Sequence, residues 1–270
     1  SPEFGRISQG AALALLSRIY LYNGMYHEAL DAAERAMASP YYGLYETGHP
    51  DEDYVNLFNY TGRASRNASN REVMLAFVYN YDLGESARTA HNLSRECWVP
   101  GDYARFVPTK SMVECYLTDK GEIWNPSACN SYEEVFRNRD PRMTQSILAP
   151  GTPWEGGKSG DLSSTDDKIY TYPKLSNTKD GSMTYSGYYM RKCVEPSTVR
   201  YVSHDDNDIV IIRYAEVLLN YIEAKERLGT VSQDDLDMTV NRLRDRVGMV
   251  HLKLDNLPAG SDIRTEIQRE

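Results

Sequence analysis

The stretch Gly5–Met37, GRISQGAALALLSRIYLYNGMYHEALDAAERAM, decides the fold. From about Ser8 to Asn23 the apolar residues Ala11, Ala12, Leu15, Leu16 and Ile19 recur at helical spacing and share a face. Asn23-Gly24 breaks this helix, because glycine takes the left-handed conformation that ends helices at little cost. A second amphipathic helix runs from about Tyr26 to Ala38 with Ala29, Leu30, Ala33 and Met37 inward, and Ser39-Pro40 stops it.

The pair reads as a tetratricopeptide-like hairpin. Gly24 makes the turn, and the small residues Ala29, Ala33 and Ala36 let two helices approach closely. One hairpin cannot bury its own face, so it needs neighbours. A candidate lies near the other end of the chain, where Arg213–Leu228 (RYAEVLLNYIEAKERL) carries the stripe Ala215, Leu218, Leu219 and Ile222 and ends at Gly229. Asp234 and Asp235 favour a new helix start, and Leu236–Val247 forms the next helix, closed by Gly248. The two hairpins are too far apart in sequence for a tandem solenoid and must meet in space.

Between them the pattern changes. Tyr41–Asn70 is loop-rich, with a short helix near Tyr54–Phe58. Glu72–Tyr79 reads as a strand, Pro108–Leu117 and Ser131–Phe136 as short helices, and Arg142–Leu148 as a strand. Pro150–Gly187, full of Gly, Ser, Asp and Thr, reads as a long surface loop region, of the kind that often carries function. Ile209–Ile212 leads straight into the Arg213 helix. The expected fold is mainly α: tetratricopeptide-like helical hairpins packed with an irregular, loop-rich ligand-binding region. The expected division is 1–40 for the first hairpin, 41–208 for the loop-rich region, 209–250 for the second hairpin, and 251–270 for a linker and the start of a C-terminal segment.

Composition narrows the function. The 270 residues include 21 Tyr against 5 Phe and 3 Trp, and tyrosine, with its apolar face and polar rim, suits wet recognition surfaces. A net charge of −9 argues against a nucleic-acid partner or a polybasic membrane patch. Cys97, Cys115, Cys129 and Cys193 show no C-x-x-C spacing and read as ordinary buried thiols. No membrane span or signal peptide is visible, and Ser1–Phe4 reads as a cloning scar or a native linker.

Catalytic and metal motifs are weak. His27, His49, His91, His204 and His251 are scattered singly, without the spacing of metal ligands. The run from Gly151 to Ser159 comes close to a phosphate loop but has one residue too many before Gly157-Lys158. No carboxylate pair is singled out for glycoside hydrolysis. Asp205, Asp206, Asn207 and Asp208 offer oxygens to calcium but lack the full loop pattern, so a solvated turn is the expectation. No metal or other cofactor is expected.

A sugar ring presents C–H patches on which aromatic rings stack, and a polar rim that side chains bond. The candidate platforms are Trp98 beside Pro100-Gly101, Trp124 beside Asn125-Pro126, and Trp154 in the Gly/Pro-rich loop, with Tyr81 and Tyr103 as further candidates. Burial under a loop is the alternative for each tryptophan.

Five segments, in order and spread over nearly the whole chain, resemble the SusD/RagB family. They are GRISQGAALALLSRIYLYNGMYHEAL from Gly5, PTKSMVECYLTDKGE from Pro108, FRNRDPRM (Phe136–Met143), GYYMRKCVEP from Gly187, and IIRYAEVLLNYIEA with NRLRDRVGM within Ile211–Met249. The resemblance implies a non-catalytic, cell-surface lipoprotein of the outer membrane. Such a protein captures oligosaccharides or other nutrients and caps a TonB-dependent transporter. It also implies that the lipid-bearing cysteine, early repeat helices and part of the ligand site lie upstream of Gly5, and an aromatic-rich segment beyond Glu270, so that the membrane is reached only through an anchor outside this chain. In FRNRDPRM the resemblance gives Arg137, Arg139 and Arg142 roles as ion-pair or cap partners and makes Asp140-Pro141 a turn. Two other readings are an interaction scaffold that docks the transporter and an enzyme acting on polysaccharide.

Overall fold

The computed structural model describes residues 4–84, 89–98, 103–155, 169–175 and 182–270. In chain order its elements are α1 (Gln9–Tyr22), α2 (Tyr26–Met37), α3 (Asp53–Asn56), β1 (Val73–Phe77), α4 (Leu93–Cys97), α5 (Lys110–Cys115), α6 (Pro141–Ser146), β2 (Ile209–Arg213), α7 (Tyr214–Arg227), α8 (Gln233–Met238), α9 (Val240–Asp245) and α10 (Ile263–Arg269). Single 3-10 turns stand at Tyr81–Leu83, Pro126–Ala128, Glu133–Phe136 and Pro196–Thr198. The fold is mainly helical, with β1 and β2 as its one named sheet among the described residues.

The Ser8 hydroxyl accepts the Ala11 N–H and opens α1, and Gly24 at φ +72° turns the chain into α2. Ala29, Ala32, Ala33 and Ala36 of α2 are fully buried, and α2 packs against both α1 and α7. Methyl-sized side chains permit that double approach. The two distant hairpins thus share one core, built from Ala11, Ala14, Ala33, Ile212, Ile222, Leu236 and their neighbours. The inward face of α1 differs from the expected stripe. Gly10, Ala11, Ala14, Ser17 and Leu21 are buried, while Leu15 and Ile19 face outward. This helix is apolar nearly all round, so periodicity alone left its rotation undetermined.

β1 and β2 run antiparallel, Val73 opposite Arg213 and Phe77 opposite Ile209, which ties the start of α7 to the middle of the chain. Behind them Glu72, with no exposed surface, accepts from the guanidinium groups of Arg213 and Arg246 and from the Tyr45 N–H. Burial alone would raise the Glu72 carboxyl, but Arg246 and Arg213 overcome it and hold the carboxyl below its ordinary range.

Two expected elements are corrected. Arg142–Leu148 is not a strand: Asp140 caps the Arg142 N–H at 2.8 Å and Pro141 opens helix α6. Asp-Pro is a helix start as readily as a turn, because proline at the first helical position lacks only an N–H that would go unused. The strand character survives just beyond, where Ile147 bridges Met190 and the Leu148 N–H donates to the Tyr189 carbonyl. The helix expected over Leu236–Val247 starts earlier, on a Ser232/Asp235 capping box, and breaks at Thr239, whose hydroxyl bonds the Asp235 carbonyl at 2.5 Å. The thiols are also less uniform than expected: all four are free, Cys97 is buried, Cys115 is exposed, and Cys129 and Cys193 are partly buried.

Candidate ligand-binding site

The loop-rich region is held by an aromatic core. The Trp154 ring stands 5.2 Å from Tyr170, 5.3 Å from Tyr189 and 6.3 Å from Trp98. Tyr170 extends the cluster to Tyr132, which in turn meets Tyr172, Tyr188 and Phe136. Most contacts are edge-to-face, the arrangement that ring quadrupoles favour. Hydroxyls find partners inside: Tyr132 and Tyr170 share a bond of 2.7 Å, and the Tyr189 hydroxyl donates to the Ser182 carbonyl. Burial raises the phenols of Tyr132 and Tyr170, and pushes Tyr189 up to about 12, so all three stay neutral.

On this base sits a surface pair. Tyr103 and Met183 are bridged, the Ala104 N–H donates to the Met183 carbonyl, and the Thr184 N–H donates to the Lys174 carbonyl. These bonds set Tyr103 against Tyr185 with ring centroids 5.3 Å apart and planes within 7° of parallel. Tyr185 is 76 % exposed, and Tyr172 is also exposed. Large flat apolar faces rimmed by hydroxyls, held by backbone bonds, suit a sugar face.

A second exposed aromatic group lies at Tyr81, Tyr201 and His204. The Tyr81 ring stacks on His204 at 4.6 Å, and its hydroxyl meets the ring Nε2 at 2.9 Å. The His204 Nδ1 lies 2.7 Å from the Val202 carbonyl, so Nδ1 carries the proton and Nε2 accepts from Tyr81. Tyr201 leans on the same imidazole.

The acidic run beneath is corrected from a solvated turn to a buried seam. Asp205 accepts from the Ser94 N–H and hydroxyl, Asp206 pairs with Arg63 and Arg66, Asn207 donates to the Phe58 carbonyl, and Asp208 accepts from the Ser65 N–H and hydroxyl. Burial would raise Asp206, but the Tyr60 hydroxyl, the Tyr81 N–H and Arg63 hold it below its ordinary value. These oxygens stitch segments near residues 60, 94 and 206 together. No group of three or more His, Cys, Asp or Glu placed to hold a metal occurs among the described residues.

The five sequence candidates therefore separate. Trp98, 1 % exposed, donates its Nε1–H to the Met190 carbonyl, and Trp154, 3 % exposed, lies within the aromatic core. They meet each other but present no free face. Trp124 is half-buried, its ring 3.9 Å from the Arg139 guanidinium. That guanidinium is fixed by the carbonyls of Val113, Tyr116, Val135 and Leu117. Tyr81 and Tyr103 remain at the surface, and their partners His204 and Tyr185 were not among the candidates. The clustering of Tyr185, Tyr188 and Tyr189, the one signal in the sequence for the latter, was passed over. Residues 99–102, 156–168 and 176–181, which include Pro100-Gly101, the Gly157-Lys158 run and part of the long loop, lie outside the described residues.

The sequence profile of the SusD family matches residues 47–270. The chain belongs to the SusD family. Its fold is that of solved SusD-like structures. A SusD-like carbohydrate-binding protein from Bacteroides fragilis is 23 % identical with a TM-score of 0.73, over 100 % of this chain and 50 % of that one. A second SusD-like protein from Bacteroides fragilis is 22 % identical with a TM-score of 0.70, over 100 % and 52 %. Surface glycan-binding protein A from Bacteroides thetaiotaomicron, solved in complex with laminarihexaose, is 18 % identical with a TM-score of 0.56, over 94 % and 50 %. The chain thus spans about half the length of these SusD-family structures. No curated protein matches it significantly. Among the described residues no helix is long and apolar enough to cross a membrane.

Proposed function

We propose that this SusD-family chain is the saccharide-binding part of a cell-surface capture protein that holds oligosaccharide without reacting with it. The observation that carries the reading is the parallel pair Tyr103–Tyr185, half-buried at Tyr103 and exposed at Tyr185, on segments tied by hydrogen bonds to the aromatic core. A stacked pair offers a broad apolar face, while its hydroxyls reach the polar rim of a sugar. The laminarihexaose bound by the Bacteroides thetaiotaomicron neighbour supports a soluble glycan as the ligand class. Tyr81 with His204 is a second contact for a longer chain, and Trp124 a third.

In this reading the whole protein is lipid-anchored on the outer face of the outer membrane and hands its ligand to a TonB-dependent transporter. The test is retention on immobilised polysaccharides followed by product analysis. Retention without new reducing ends supports capture, and new reducing ends point to an enzyme.

A second role, docking to the transporter, is favoured by one feature. Leu15, Ile19 and Tyr22 form an exposed apolar row on α1 at spacings of one helical turn. Recovery of a transporter that Leu15→Glu abolishes would support it.

A further inference from the structure

Lys192, Arg213 and Arg246 converge on Tyr54 and Phe58. The Lys192 ammonium lies 4.3 Å from the Phe58 ring centroid and donates to the Tyr54 hydroxyl at 3.0 Å. Arg213 and Arg246 both stand within 6 Å of the Tyr54 ring. Among the described residues the carboxylate that ion-pairs with the two arginines is Glu72. Among the described residues no carboxylate pairs with Lys192. Lys192 is half-buried and the Arg213 side chain is 21 % exposed, so both cations remain open to an incoming anion.

Beside them opens a cavity of 400 Å³ lined by Lys192, Arg213, Phe58 and the first strand residues of β2. The other charged and titratable groups facing it are His91, Cys193, Asp208 and Glu216. Glu216 is neutralised by Arg18 through two bonds. His91 is occupied by the Leu93 N–H and the Asn207 carbonyl. Each Asp208 oxygen accepts one bond from Ser65 and keeps a further lone pair. The volume is that of a small-ligand site.

We infer that this cavity takes the carboxylate of a uronate sugar between Lys192 and Arg213, with Asp208 accepting from the sugar's hydroxyls. A bare anion would meet the Asp208 charge with nothing to offer it, whereas a uronate brings an anion for the cations and donors for the carboxylate. The cavity is separate from the Tyr103–Tyr185 face, so binding of neutral oligosaccharide there does not depend on it. Tyr54 reports occupancy. Burial would raise its phenol, but Lys192 and Arg213 bring it down to about 8, and a bound carboxylate opposes their effect.

The test titrates the intact chain with glucuronate, glucose and acetate, following calorimetry and tyrosinate absorbance against pH. Glucuronate is expected to bind about 10-fold or more tightly than either control. It is also expected to shift the tyrosinate midpoint upward. Lys192→Met should abolish the preference. Tyr54→Phe should remove the absorbance signal while keeping the preference, which controls for a misfolded lysine variant. Equal affinity for glucuronate and glucose overturns the site, and acetate binding as tightly as glucuronate overturns the sugar assignment.

Discussion

The rings of Tyr103 and Tyr185 come from segments far apart in the sequence and lie within 7° of parallel, 5.3 Å between centroids. Tyr185 is exposed, whereas the core residues Trp98 and Trp154 are buried. Replacing Tyr185 with alanine is therefore expected to change stability by no more than about 0.5 kcal/mol, as surface substitutions usually do. Replacing Trp98 or Trp154 is expected to cost about 3–5 kcal/mol, because each leaves a large cavity. Urea denaturation of the three variants separates the roles.

Glu72 is the carboxylate that Arg213 and Arg246 share. Glu72→Gln should cost about 3–5 kcal/mol, since it leaves the buried Arg246 and the half-buried Arg213 without their shared carboxylate. The pH dependence follows from the same contact. A carboxyl held below its ordinary value contributes its full stability above 4.5 and loses it as the pH falls through the folded value. Denaturation midpoints measured downward from neutral pH should fall for the wild type below that point and fall less for Glu72→Gln.

The Asp205–Asp208 seam predicts indifference to calcium, because Asp205 and Asp206 are taken up by Ser94, Arg63 and Arg66 and no three carboxylates among the described residues are placed around one ion. Thermal melts with calcium and with chelator should coincide. Asp206→Ala, which leaves the buried Arg63 without its carboxylate, should destabilise by about 3–5 kcal/mol.

The helical frame depends on small side chains. Ala33→Leu, in a helix clasped between α1 and α7, should cost about 1–3 kcal/mol or more by overpacking. Ala12→Leu on the outer face of α1 should cost little. Paired thermal melts check the contrast.

The helical frame was legible because Ala29, Ala33 and Ala36 recur at one period and Gly24 and Gly229 mark the ends. The rotation of α1 was not, since Leu15 and Ile19 are as apolar as the residues that turned inward. Asp140-Pro141 misled because the same dipeptide serves a turn and a helix start. The placement of the candidate aromatics was not legible: Trp98 and Trp154 are buried in the loop region's core, while Tyr103 pairs with Tyr185 outside that cluster. That division is fixed by pairings such as Tyr103 with Met183 and Leu148 with Tyr189, which join residues far apart in sequence and leave no local pattern. The buried seam at Asp205–Asp208 was hidden for the same reason.

The most direct measurement is calorimetric titration of the wild type, Tyr103→Ala and Tyr185→Ala with a panel of neutral oligosaccharides including laminarihexaose, with product analysis of each mixture. The account predicts that at least one oligosaccharide binds and is recovered intact, and that each tyrosine variant weakens it about 2- to 10-fold. Unchanged affinity in both variants, or cleavage of the bound sugar, would contradict it.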